Sequence, residues 1–186
     1  PTIQDIITAQ KLMDKAVVRK TPVLKTNTFS SMARTNIFLK MESFQKTGSF
    51  KVRGAYSKIN SLTVEQRKSG VVAASAGNHA QGVAYAAQKR KIRCNIVMPK
   101  NASPAKVAAT RSYGANVILS GNTYDESWET AYSLSSENGY SIIHAFDDPV
   151  VIAGQGTIGL ELIEVLKDID TIYLPLGGGG LASGVC

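Results

Sequence analysis

Apolar residues along this chain switch between two spacings, short β-prone runs and helical stripes. At the start, Thr2-Ile-Gln-Asp5 has the form of a capping box, and Ile3, Ile6, Ile7 and Met13 follow at helical spacing, so a helix is expected before Pro22. Residues 37–41 read as a strand, and a second helix is expected to begin near Ser49. Beyond it a regular alternation sets in. Residues 70–74 and Cys94–Met98 are short apolar runs, and 78–89 between them is helical. Ser103-Pro104 supplies an N-cap and a first-turn proline for a helix that Gly114 closes. Residues 115–119 form the next strand, and Thr123-Tyr-Asp-Glu126 is another capping-box pattern, opening a helix that stops near Gly139. A strand at 140–144, a helix at 156–166 and a short buried strand at 171–176 complete the series.

Strands and helices in strict turn, with near-continuous apolar strands, imply an α/β fold whose parallel sheet is covered on both faces. Such open, doubly wound sheets bind ligands beyond the carboxyl ends of their strands. Two glycine-bearing loops fall at such ends, Ser75-Ala-Gly-Asn-His79 and Gly177-Gly-Gly-Gly180. Neither is a GxGxxG dinucleotide fingerprint or a GxxxxGK[ST] phosphate loop. Taken alone, the four glycines fit either a flexible tail or a turn whose bare amides converge on an anion.

Composition narrows the classes. A chain of 186 residues makes one large domain or two small ones, and 44% hydrophobic with 19% charged residues describes a soluble globular protein. No run of eighteen apolar residues exists, so no membrane span is expected, and the first residues lack a secretory signal pattern. Cys94 and Cys186 have no metal-site spacing and form no disulfide framework, which fits a reducing, cytoplasmic setting; no metal site is expected. The net charge of +7 is scattered, except for Lys89-Arg90-Lys91 with Arg93, where cations complement a helix C-terminus. No aromatic-interleaved basic stripe is present, so no nucleic-acid partner is expected.

The remaining unusual stretch is Ser43-Phe-Gln-Lys-Thr-Gly-Ser-Phe-Lys-Val-Arg-Gly54. Lys51 lies just inside a helix start, where the dipole disfavours a cation, and between Phe50 and Val52, where desolvation lowers an amine's pKa. A neutral amine can attack a carbonyl. An activated lysine and an anion-binding glycine turn in one α/β chain suggest a phosphate-bearing aldehyde, pyridoxal 5'-phosphate. By position alone Lys51 is also compatible with a surface lysine, Asn78 and Ser75 with helix caps, and His79 and His144 with structural roles.

The stretches "SFQKTGSFKVRGA", "SAGNHAQGVA", "HAFDDPVVIAGQGTIGLE" and "PLGGGGLASG" resemble the fold-type-II pyridoxal-phosphate enzymes, in the threonine/serine dehydratase branch related to serine racemase. The resemblance runs from Ile3 to the end, in the family's order. It implies two open doubly wound parallel-sheet domains of the tryptophan-synthase-β type. Residues 1–39 would begin the large cofactor domain, 40–146 would form the small α/β domain, and 147–186 would return to the large one. Because that family's catalytic core continues past the position of Cys186, the resemblance implies an N-terminal part of such a core.

The same resemblance assigns roles. Lys51 matches the Schiff-base lysine, which also serves as the base above Cα. Gly177, Gly178, Gly179, Gly180 and Leu181 match the loop whose amides hold the phosphate, and Asn78 matches the asparagine bonded to the phenolic oxygen. Ser75, Ala76, Gly77, Asn78 and His79 match the loop receiving the substrate carboxylate. Phe50 would pack beside the cofactor, and Phe146 would line the site. The implied reaction takes L-threonine to 2-oxobutanoate and L-serine to pyruvate, each with ammonia, in a homo-oligomeric enzyme. The alternatives are a serine racemase-like enzyme or an inactive fragment. Ala76 stands where the racemase branch carries an acidic serine hydroxyl, which favours dehydration.

Overall fold

Four short apolar runs form one parallel sheet in the computed structural model, which describes residues 1–186. The strands β3 (Val71–Ala74), β4 (Cys94–Met98), β5 (Asn116–Leu119) and β6 (Ser141–Ile142) lie in the order β5-β4-β3-β6, every neighbouring pair parallel. Helices α5 (Asn78–Arg90), α6 (Pro104–Ser112) and α7 (Tyr124–Asn138) connect them. Val71, Ala73, Ile96 and Met98 join a core with Ala80, Val83, Ala84 and Ala87 of α5. Their strand neighbours Val72, Ala74 and Val97 join a second core with Ala131 of α7, against which Trp128 packs. Both faces are therefore buried, the reason these strands lack polar alternation.

A second group of helices packs against α5 and against one another. The first helix, α1 (Ile3–Leu12), starts at the expected capping box, in which Thr2 and Asp5 satisfy each other's backbone amides. Its buried Ile6 and Ala9 cluster with Ala153 of α8 (Pro149–Val165). Helix α3 (Lys51–Ser61) packs between α5 and α8, burying Val52, Ala55, Tyr56 and Ile59. A last short helix, α9 (Gly180–Val185), also packs on α8. Both partners meet α8 at glycines. A Cβ on Gly154 would stand 2.7 Å from Gly54 Cα of α3, and one on Gly156 would stand 2.5 Å from the Gly184 carbonyl oxygen of α9. Backbone approach this close fixes how far α3 lies from α9.

Several elements depart from the expected ones. Helix α8 begins at Pro149 rather than near 156, because Asp148 caps it by accepting from the Val150 and Val151 amides and proline suits the first position. The expected strand at 37–41 is β2 (Phe38–Lys40), which pairs antiparallel with β1 (Val23–Lys25) outside the parallel sheet. Helix α2 (Asn27–Ala33), a 3-10 turn (Glu42–Phe44) and α4 (Val64–Ser69) add to the expected set. Thr123 caps α7, but the Glu126 carboxylate takes the Asn122 amide instead of that of Thr123, so the capping box is not closed. Ser103 makes no side-chain cap.

Residues 171–176 do not form the expected buried strand. No other strand of the chain runs beside them to take their N–H and C=O groups, and Ile172, Tyr173 and Leu176 are 44%, 90% and 74% exposed. Cys94 is buried and Cys186 exposed, both as free thiols. No helix is long and apolar enough to cross a membrane.

Candidate active site

Lys51 is the first residue of α3, preceded by Phe50 in the N-cap position with no side-chain cap. Its amine donates a 2.7 Å hydrogen bond to the Ala145 carbonyl oxygen and lies 5.4 Å from the centre of the Phe50 ring. Burial holds its pKa below that of an ordinary lysine. Lys46 is exposed, and Lys58 is paired with Asp148, so neither shares this environment.

The second motif turns directly out of β3. Ser75 Oγ accepts from the Gly77 amide, and Gly77 occupies the N-cap position of α5 without a side-chain cap. Asn78 is therefore the first helical residue and not the cap, and it is exposed. His79 instead turns inward. Only 3% exposed, it donates from Nε2 to the Ile143 carbonyl oxygen at 2.8 Å, while Nδ1 is buried with no partner. Burial pushes its pKa down to about 4, against the opposing effect of the Ile143 bond, so the ring is neutral. Within the turn, His79 offers only its backbone. One helical turn later, a Cβ on Gly82 would stand 3.1 Å from Lys51 C and Val52 N, so α5 crosses α3 at the candidate lysine.

The glycine loop meets the same place from the other side. Gly179 takes a left-handed φ of 83° as the N-cap of α9. A Cβ on Gly178 would lie 2.4 Å from Phe146 Cγ, and one on Gly180 would lie 2.7 Å from the Phe146 carbonyl oxygen. Gly177 and Gly179 face open space, and Leu181 is half-buried. Phe146 follows Ala145, the residue that receives the Lys51 amine, so two adjacent residues seat the lysine and the loop. His144 completes this segment. Its Nδ1 accepts from the Phe146 and Asp147 amides, and its ring stands edge-on to Trp128 and to Phe146. Its Nδ1 is thus satisfied within its own turn.

Arg53 was not among the expected site residues. It is fully buried two residues beyond Lys51 and binds Glu42 and Glu161 with four hydrogen bonds of 2.8–2.9 Å, with a further bond to Thr157. Burial alone would raise the Glu42 pKa, but Arg53 outweighs it and holds the carboxyl below its ordinary value. The network clamps the start of α3 to the 3-10 turn and to α8. An arginine within the apolar run Val52 to Tyr56 was the available signal.

The residues present fit pyridoxal phosphate. The candidate lysine is desolvated, two glycines of the loop stand where a Cβ would collide, and Thr47 Oγ1 and Ser49 Oγ are buried without partners just before Lys51.

Comparison with known proteins agrees. The L-threonine ammonia-lyase of Thermotoga maritima is 53% identical over 184 residues, which cover 99% of this chain and 46% of that protein. The catabolic L-threonine dehydratase of Staphylococcus aureus is 50% identical over 172 residues, 92% of this chain and 50% of that protein. Among solved structures, processed threonine deaminase isoform 2 from Solanum lycopersicum superposes with a TM-score of 0.94 at 42% identity, covering 98% of this chain and 50% of that one. Maize serine racemase gives a TM-score of 0.94 at 41% identity, covering 98% of this chain and 55% of that one. The chain thus spans about half the length of the curated relatives it matches. The family model for pyridoxal-phosphate dependent enzymes matches residues 15–186, and the chain belongs to that family.

Proposed function

We propose that this chain carries the lysine and the phosphate loop of a dehydratase that converts L-threonine to 2-oxobutanoate and ammonia, and L-serine to pyruvate and ammonia. The observation that carries this reading is the pairing of Lys51 Nζ with the Ala145 carbonyl beside Phe146, against which Gly178 and Gly180 lie. The threonine ammonia-lyase and dehydratase names of relatives at about half identity support the substrate class.

Pyridoxal phosphate, when bound, supplies an electron sink for the charge left at Cα after proton removal. Lys51 would hold it through its amine, and the same desolvated amine, when free, would take the proton from Cα. Backbone amides of Gly177, Gly178, Gly179, Gly180 and Leu181 would receive the phosphate, and Asn78, exposed at the start of α5, would hold the phenolic oxygen. Phe50, whose ring lies 5.4 Å from the Lys51 amine, would pack beside the cofactor. The backbone of Ser75, Ala76, Gly77, Asn78 and His79 receives the substrate carboxylate. Residues 40–146 form the small domain of this reading, and 1–39 with 147–186 belong to the large one.

The racemase alternative is disfavoured at Ala76, whose methyl group can neither give nor take a proton. A homo-oligomeric, cytoplasmic enzyme is part of this reading, in which exposed Phe29, Met32, Phe38 and Phe44 call for a covering surface. The test is borohydride reduction of the cofactor-loaded intact protein, followed by peptide mapping. The label is expected on Lys51; finding it on Lys46 or Lys58 overturns the assignment.

A further inference from the structure

The segment that joins the two halves of the site has little secondary structure of its own. Strand β6 ends at Ile142, and the Ile143 amide makes the last sheet bond, to the Val72 carbonyl oxygen. From there to Asp147, side chains take the place of a ladder. His79 takes the Ile143 carbonyl, Lys51 takes the Ala145 carbonyl, and His144 accepts the Phe146 and Asp147 amides. Of these, only the Lys51 bond is given up during chemistry, because its amine must leave Ala145 to bind a carbonyl or take a proton. The segment must then be held by what remains.

We propose that His79 is a positioning residue: its Nε2–H bond to Ile143 holds the 143–146 segment in register, and so keeps Phe146 under Gly178 while the Lys51 amine is away from Ala145. The inference rests on the functional reading of Lys51 and the glycine loop given above. Three observations support it. The ring is nearly fully buried, and its one polar tie is to an acceptor, which fixes the proton on Nε2. The ring stays neutral at physiological pH, with its pKa near 4, so the tie does not titrate away. Finally, His79 sits on α5, which crosses α3 at Lys51 through Gly82, so the tether and the lysine share one rigid support.

The test compares three forms of the intact protein: unaltered, His79→Leu, which fills the space without a donor, and His79→Gln, whose side-chain amide can donate to the same carbonyl. Trp128, the single tryptophan of these 186 residues, stands edge-on to His144 and so reports the segment without cofactor. Pyridoxal phosphate is then titrated into each apoprotein. His79→Leu is expected to keep its far-ultraviolet circular dichroism, to shift Trp128 emission, and to weaken cofactor binding roughly tenfold, the scale of one buried hydrogen bond. His79→Gln is expected to restore both. Unchanged emission and affinity in His79→Leu overturn the proposal, as does a glutamine variant no better than leucine, since that would make ring packing the role. Should His79→Leu not fold, His79→Gln decides alone: retained affinity supports the tether, and a tenfold loss rejects it. A wild-type protein that takes up no cofactor on Lys51 would instead refute the functional reading itself.

Discussion

The ring of Phe146 occupies the place a side chain on Gly178 would need: a Cβ there would lie 2.4–2.5 Å from three atoms of that ring. The glycine is thus required by contact with an aromatic side chain from a distant part of the chain. Gly178 does not adopt a left-handed φ, so backbone strain is not the reason. Gly178→Ala is expected to weaken cofactor binding, and Gly178→Val to weaken it further. Pairing Gly178→Ala with Phe146→Ala should recover part of the loss, with a coupling of about 0.5–3 kcal/mol between the two sites. Titration of apoprotein across the double-mutant cycle measures it. Strict additivity would mean that the ring and the glycine do not interact.

Lys51 should leave a signature in the stability of the apoprotein. Its folded pKa is lowered by burial, so between that value and the ordinary lysine value the unfolded chain binds a proton the folded one does not. Stability therefore rises with pH across this window and falls again as pH drops through the folded pKa. Lys51→Met removes the buried amine, and its denaturation midpoint should climb less steeply as pH rises towards the ordinary lysine value of about 10.5. Chemical denaturation of both apoproteins across that range provides the comparison. Equal slopes would show that Lys51 is not desolvated.

Much of this arrangement was legible in the sequence, and the illegible parts share a cause. Lys51, the glycine loop and the turn at Ser75 stand out because residue type and position are unusual together. The apolar runs of β3 and β4 and the cap at Thr2 follow from local rules. What joins the motifs is made of backbone carbonyls, at Ile143 and Ala145, which carry no sequence signature. The segment 171–176 misled because β-propensity describes a fit to a sheet surface, and a strand forms only where a neighbour exists. The start of α8 was readable at Asp148-Pro149, but glycines at 154, 156 and 159 obscured a helix that needs two of them for close crossings. Thr63 and Gln66 of α4 form a complete capping box in a helix too short to show periodicity.

Arg53 should be among the residues least tolerant of change. Removing it leaves the buried Glu161 and the partly buried Glu42 with only Lys40 as a cationic partner, and breaking such a network costs about 3–5 kcal/mol. Arg53→Met should therefore lower the melting temperature strongly at neutral pH. Arg53→Lys should recover little, because one ammonium cannot span two carboxylates as the guanidinium does. The pH response should also invert. With Arg53 present, the lowered Glu42 pKa gives stability that is complete above the ordinary carboxylate value and lost on acidification. Without it, burial raises that pKa, and the variant should lose stability as pH rises through the new value. Melting curves from pH 4 to pH 8 distinguish the two; parallel profiles would mean that the network is not coupled.

The choice between elimination and racemisation turns on Ala76 under the proposed reading. Lys51 can move a proton on one face of Cα, and returning a proton to the other face needs a second group there. Ala76 lies half-buried in the turn between β3 and α5, against the main core, and its methyl carries no exchangeable proton. The intact protein should therefore release 2-oxo acid from L-serine or L-threonine with little D-isomer. Ala76→Ser adds a single oxygen to a half-buried position whose neighbour, Ser75, already holds a hydroxyl bonded to the Gly77 amide, so the turn can accommodate it without refolding. That variant should raise the ratio of D-serine to pyruvate, while cofactor affinity stays close to that of the unaltered protein. Chiral chromatography of the residual serine, run beside a 2-oxo acid assay on the same samples, reads both products. D-serine appearing as fast as pyruvate from the unaltered protein would show that another group protonates the far face, and the assignment of Ala76 would fall.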